Sequence, residues 1–138
     1  MHEPEDSPGE RMYREHILDH YNHPHNFGRM QNPDAGATVL NPLCGDEITI
    51  QLKIDKKKRI RDIKFQGVGC AISQAAISMI TDFVKGKAII EVKRLLRKEK
   101  VLELLGIQVS PVRLKCALLS LDALEASIKK YESGKRTA

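Results

Sequence analysis

Three cysteines and one aspartate carry most of the chemistry in this 138-residue sequence. Cys44 and Asp46 flank a glycine in Asn41-Pro42-Leu43-Cys44-Gly45-Asp46. Gly45 can take backbone angles closed to other residues, so a tight turn there can aim thiol and carboxylate at one point. An extended strand does the same, because residues two apart share a face. Cys70 follows two glycines in Gly67-Val68-Gly69-Cys70-Ala71-Ile72-Ser73 and stands where a helix should begin. Unpaired amides and the positive end of the helix dipole favour a thiolate there. Cys116 falls in the second turn of a C-terminal helix, about 100 degrees round from Ala117 on its apolar stripe. It can border the core and still face the N-terminal end of that helix. A single thiol is commonly a packing residue. Three thiols at element boundaries, one beside a carboxylate, make a four-coordinate, sulfur-rich set suited to zinc, iron or an iron–sulfur centre. Spacing along the chain leaves their convergence to the fold.

The elements that must bring them together follow from hydrophobic periodicity. Residues 11–22 read as a helix with Met12, Ile17, Leu18 and Tyr21 as a partial stripe, ended by Asn22-His23-Pro24. Thr38 to Leu40 is a short strand. Ile48, Ile50, Leu52 and Ile54 alternate with polar residues as a half-buried strand. Ile63 and Phe65 mark the return strand, and Ile60, out of phase with them, predicts a later start or a bulge. From Cys70 the period changes to that of a helix, which stops at Gly86. Ile90 to Leu96 reads as a short helix and Val101 to Leu105 as a turn or fragment. Ser110-Pro111 supplies an N-cap and a first-turn proline. Leu114, Ala117, Leu118, Leu121, Leu124, Ile128 and Tyr131 then line one face of a long terminal helix. The order predicts an α+β fold: a three-stranded antiparallel sheet packed against several helices, with a long C-terminal helix.

Composition bounds the class. With 41% hydrophobic and 30% charged residues this is a soluble globular chain, and with no Trp and 4% aromatics its core is aliphatic. No apolar stretch approaches the roughly 20 residues that span a bilayer, so no membrane partner is expected. Residues 1–10 are acidic and Pro/Gly-rich, unlike a signal peptide, and read as a disordered lead-in to a single domain over 11–138 in a cytoplasmic protein. The formal net charge is +5, and the lead-in contributes −4 of it. The basic run Lys56 to Arg59 lies between two strands without stacking aromatics, so it reads as a solvated hairpin tip and no nucleic-acid partner is expected. An odd cysteine count without an export signal argues for free thiols rather than a disulfide framework. His16 and His20 share a helix face at a zinc-compatible spacing, but Ile-Leu-Asp between them lacks the glutamate of a zinc protease. His16, His20, His23 and His25 are therefore read as polar-face or loop residues.

The three cysteine motifs, in this order and at these separations, resemble those of the IscU/SufU/NifU-type iron–sulfur cluster assembly scaffold family. Asp19-His20-Tyr21 and Asn26-Phe27-Gly28 also resemble its N-terminal segment, and the likeness spans roughly residues 12–132. The resemblance implies a compact α+β fold and a site that receives sulfur from a cysteine desulfurase. It implies Cys44, Cys70 and Cys116 as cluster ligands and Asp46 as the carboxylate beside the first. Cys116 is the implied persulfide acceptor. The cargo implied is an iron–sulfur cluster of the [2Fe–2S] kind, with zinc in the apo form, and apoprotein acceptors as partners. Lys115 replaces the histidine that precedes the third cysteine in IscU-type members. It resembles the SufU branch, where zinc and persulfide acceptance go together. Cys70 and Cys116 are 46 positions apart, too close for the insertion usual in that branch. Lys115 is read either as an exposed helix lysine or as a partner for Asp46 or a cluster sulfide. Ser110 to Leu114 partly resembles a recognition stretch for an Hsp70-type chaperone. The main expectation is a non-enzymatic scaffold; the alternative is a zinc-dependent sulfurtransferase.

Overall fold

The computed structural model describes residues 8–41 and 45–134. The elements are α1 (Pro8–Asn22), β1 (Ala35–Asn41), β2 (Asp46–Ile54), β3 (Ile60–Val68), α2 (Ala71–Val84), α3 (Ile89–Leu95), α4 (Lys98–Leu105) and α5 (Pro111–Glu132). The strands form an antiparallel meander in the order β1-β2-β3, so the predicted α+β class with a three-stranded sheet and long last helix holds. Most of the expected lead-in, residues 1–7, lies outside the described residues. Helix α1 begins at Pro8, inside the segment read as lead-in. Proline suits a first turn, since its φ is preset and the missing N–H has no partner there anyway.

Strand β2 is the centre of the sheet. Ile48, Ile50 and Leu52 are buried on the face toward the helices, each contributing roughly 1.5–3 kcal/mol of burial. Asp46 pairs with Asn41 across β1, and Gly67 and Val68 pair with Ile48 and Glu47. Lys53 faces Asp62 while Ile54 faces Ile60, so Arg61 is an extra residue in β3. That bulge turns Ile60 inward, where it is fully buried. The basic tip is exposed as expected, and Asp55 accepts from the amides of Lys57 and Arg59 at 2.9 and 3.0 Å.

Helix α5 lies against β1 and β2, and α2 packs between α5, β3 and α1. Ser110 caps α5 through Arg113 N–H at 3.4 Å. Because α5 has sheet on one side and helices on the other, it buries more than the single predicted stripe. Leu119, Ser120, Ala123 and Ser127 are buried too. The two serines satisfy their hydroxyls on the carbonyls of Ala117 and Ala123 at 2.7 and 2.8 Å. The stripe read for α1 needs the opposite correction. Of its four residues only Ile17 is buried; Met12, Leu18 and Tyr21 are exposed. A helix resting mainly on one neighbour buries a narrow seam, here Ile17 and His20. The fragment read at Val101–Leu105 is a full short helix, α4, closed by Gly106 at φ 69°.

Candidate metal centre

The strand period carries the carboxylate to its place. Asp46 shares a face with Ile48, Ile50 and Leu52, so the phase that buries those residues also turns its side chain toward the helices. Only 3% of Asp46 is exposed. Gly45, with φ at 71°, makes the turn into β2. Gly69 makes the close approach possible. A Cβ there would run into the Ser73 hydroxyl and stand 3.1 Å from Asp46 Cγ.

Cys70 occupies the N-cap position of α2 with extended backbone angles, as the glycine-then-helix pattern predicts, though without a regular side-chain capping bond. Cys116 enters from α5 and is buried. The ligand atoms of Asp46, Cys70 and Cys116 all lie within 4.8 Å of one another. Three of the four predicted ligands, drawn from a strand, a helix start and a second helix, therefore converge. Cys44, the fourth, lies outside the described residues. The three line a cavity of about 430 Å³ together with Gly69, Val112 and Arg113. A larger cavity, about 920 Å³ beside Lys57, Lys58 and Tyr131, has no thiol or histidine among the described residues that line it. The chemistry belongs to the smaller one.

Two features mark this cavity electrostatically. Asp46 Oδ2 is buried without a hydrogen-bond partner among the described residues. Such an oxygen costs about 1–3 kcal/mol, and more when charged, unless a cation or donor arrives. Burial raises the pKa of the Cys70 thiol. The Ser73 amide and hydroxyl, the Ile72 amide and the Arg113 guanidinium outweigh it, leaving the net value below the ordinary thiol range. A thiol of lowered pKa at a helix start, a second thiol and a buried carboxylate form the donor set of a soft or borderline metal site.

Lys115 is exposed, and the pairing with Asp46 considered for it does not form. Arg113 is the basic residue at the cavity instead. Sequence reading treated it only as part of the partial chaperone-like stretch. The available signal was its position three residues before Cys116, which places both on one helix face.

The NifU-like N-terminal domain family matches residues 12–138. An iron–sulfur cluster assembly scaffold protein IscU of Archaeoglobus fulgidus is 42% identical over 120 residues, covering 87% of this chain and 76% of that protein. The scaffold protein IscU of Buchnera aphidicola is 34% identical, covering 89% of this chain and 96% of its own. A solved structure from Fervidobacterium islandicum, assigned as a scaffold protein for the SUF system, superposes with a TM-score of 0.73 at 27% identity. It covers 83% of this chain and 94% of that one. Among the described residues no helix is long and apolar enough to cross a membrane. With the family match spanning nearly the whole chain, and a thiol–carboxylate cluster at its centre, this chain belongs to the NifU-like N-terminal domain family.

Proposed function

We propose that this protein is an iron–sulfur cluster assembly scaffold, in which Cys44, Asp46, Cys70 and Cys116 hold the cluster as transient cargo. The observation that carries the reading is the convergence of two thiols on the buried Asp46 carboxylate, which has one oxygen without a partner among the described residues. Sulfur arrives from a cysteine desulfurase as a persulfide. The Cys116 thiolate attacks the outer sulfur, the donor's S–S bond breaks, and the desulfurase thiolate leaves while Cys116 keeps the persulfide. Ferrous iron then enters the same donor set, and a [2Fe–2S] cluster is the nuclearity we favour. Each persulfide sulfur needs two electrons to become a cluster sulfide. For this nuclearity two ferrous ions held by the same donor set would supply two of the four electrons, and an external electron-donor protein the other two. Arg113 and the first-turn amides of α2 lower the Cys70 pKa and so ease its deprotonation on metal binding. Asp46 contributes a harder, more exchangeable ligand than thiolate, which suits a site that must release its cargo to apoproteins. Zinc fills the site before assembly, and Val112, exposed at the cavity rim, presents apolar surface to a partner. An Hsp70-type chaperone is a candidate for that contact, and a cytoplasmic, thiol-reducing compartment fits the free cysteines.

Anaerobic reconstitution with ferrous iron and a sulfur source tests the reading. A visible cluster chromophore that moves to an apo-acceptor is expected, and Asp46→Ala should retain it longer. Equal or faster loss from that variant counts against the role given to Asp46. The depressed Cys70 thiol also supports a second reading, a zinc-dependent sulfurtransferase that passes persulfide without building a cluster. Retained zinc with sulfur turnover and no chromophore would favour it.

A further inference from the structure

Away from the cysteines, α1 and α2 bring together His20, His25 and Asp82. One ring nitrogen from each histidine and one Asp82 oxygen lie within 4.8 Å of one another. His20 belongs to the last turn of α1, His25 to the segment after it, and Asp82 to the C-terminal part of α2. We propose that these three side chains form a second metal site, which takes a first-row divalent transition ion through two imidazoles and one carboxylate.

The donors are the right kind and each is held by an outer partner. His20, read from the sequence as a polar-face residue, is buried, because the narrow seam of α1 falls on it. Ser78 Oγ anchors its ring through Nδ1 at 2.7 Å. The same oxygen accepts the His25 backbone N–H at 2.8 Å and so ties the following loop to α2. Asn26 Nδ2 donates to Asp82 Oδ1 and to Thr81 Oγ1, both at 3.0 Å. That leaves Asp82 Oδ2 for His25 Nδ1, with which it is hydrogen bonded. Anchoring of this type, a second nitrogen or second oxygen held by a neighbour, is what orients ligands around metals. The proton between His25 and Asp82 occupies the contact that a cation would bridge, and metal entry releases it.

Access and geometry agree with this. His25 and Asp82 are 47% and 44% exposed, so an ion can reach the pair and keep open coordination positions for water. Two histidines and a carboxylate with open positions suit ferrous-type and zinc-type ions. At about 1.5 Å of rise per residue, Asp82 stands roughly 17 Å along α2 from Ala71, far from the thiols at the other end. The second site rests on no part of the scaffold reading, and the two can be tested apart.

Titration of the full-length, reduced protein with Zn²⁺ under anaerobic conditions decides it. Two equivalents are expected, a tighter one at the thiols and a weaker one at the histidines. Outer-shell partners alone are worth about tenfold to a hundredfold in metal affinity. Loss of a ligand in His25→Gln or Asp82→Asn should therefore weaken the second equivalent at least tenfold and leave the first unchanged. Cys70→Ser should weaken the first and spare the second. Ring proton resonances of His20 and His25 should move with the second equivalent only. A native chain that takes no zinc beyond the thiol-dependent equivalent overturns the proposal. So does a second equivalent indifferent to His25→Gln.

Discussion

Replacing Asp46 with alanine should stabilise the metal-free protein. The native carboxylate is 3% exposed, and its Oδ2 has no hydrogen-bond partner among the described residues. A buried polar atom in that state costs about 1–3 kcal/mol, which truncation to alanine recovers. Asp46 lines an existing cavity, so the change widens a space already present and opens no new void in packed hydrocarbon. At roughly 4 °C per kcal/mol for a domain of this size, the metal-free Tm rises by about 4–12 °C. Zinc works against this difference. A metal at a hundredfold over its Kd stabilises the native state by about 2.7 kcal/mol, and the variant, one ligand short, collects less of it at the same concentration. Thermal melts of both proteins, first with a chelator and then with zinc, measure the two signs together. A metal-free Asp46→Ala protein that melts at or below the native temperature would refute the reasoning, since the orphaned oxygen would then carry no cost. Stability sacrificed at a functional site is the general pattern expected here.

Gly69→Ala should damage the site more than the fold. Its Cβ runs into the Ser73 hydroxyl and crowds Asp46 at 3.1 Å, so zinc affinity should fall at least tenfold with about 1–3 kcal/mol lost in stability. Gly106→Ala should do the reverse. The residue has φ at 69° and its Cβ would meet the Tyr13 ring, so about 1–3 kcal/mol of stability is lost, measured by urea denaturation, while zinc binding per folded molecule is kept. Arg113→Ala removes one of the groups that hold the Cys70 thiol below its ordinary value. The midpoint of its alkylation rate against pH should move upward, and an unchanged profile would remove Arg113 from the site.

Several features were legible along the chain because they depend on neighbours a few residues away. The alternation of Ile48, Ile50 and Leu52, the Ser110-Pro111 helix start and the glycine before Cys70 each declare a local conformation. The cysteine motifs, read as a set, pointed to a metal or cluster site, and the place of Cys70 at the start of a helix was foreseeable. The misfit of Ile60 left a later strand start or a bulge open, and the bulge is what turns it inward.

Tertiary structure decided what depends on distant partners. That Asp46 is buried follows from β2 pairing on both sides, from α5 lying across the strand, and from the start of α2 closing on the carboxylate. That Arg113, not Lys115, reaches the cavity depends on how α5 is rotated against the sheet, and one helix position is worth about 100 degrees. The seam of α1 was misread because apolar side chains outnumber the surface that a single neighbour can cover, and only packing against α2 selects Ile17 and His20. The same contact draws His25 and Asp82, 57 positions apart, into one cluster. Periodicity states which residues can share a face; only the packed chain settles which faces meet.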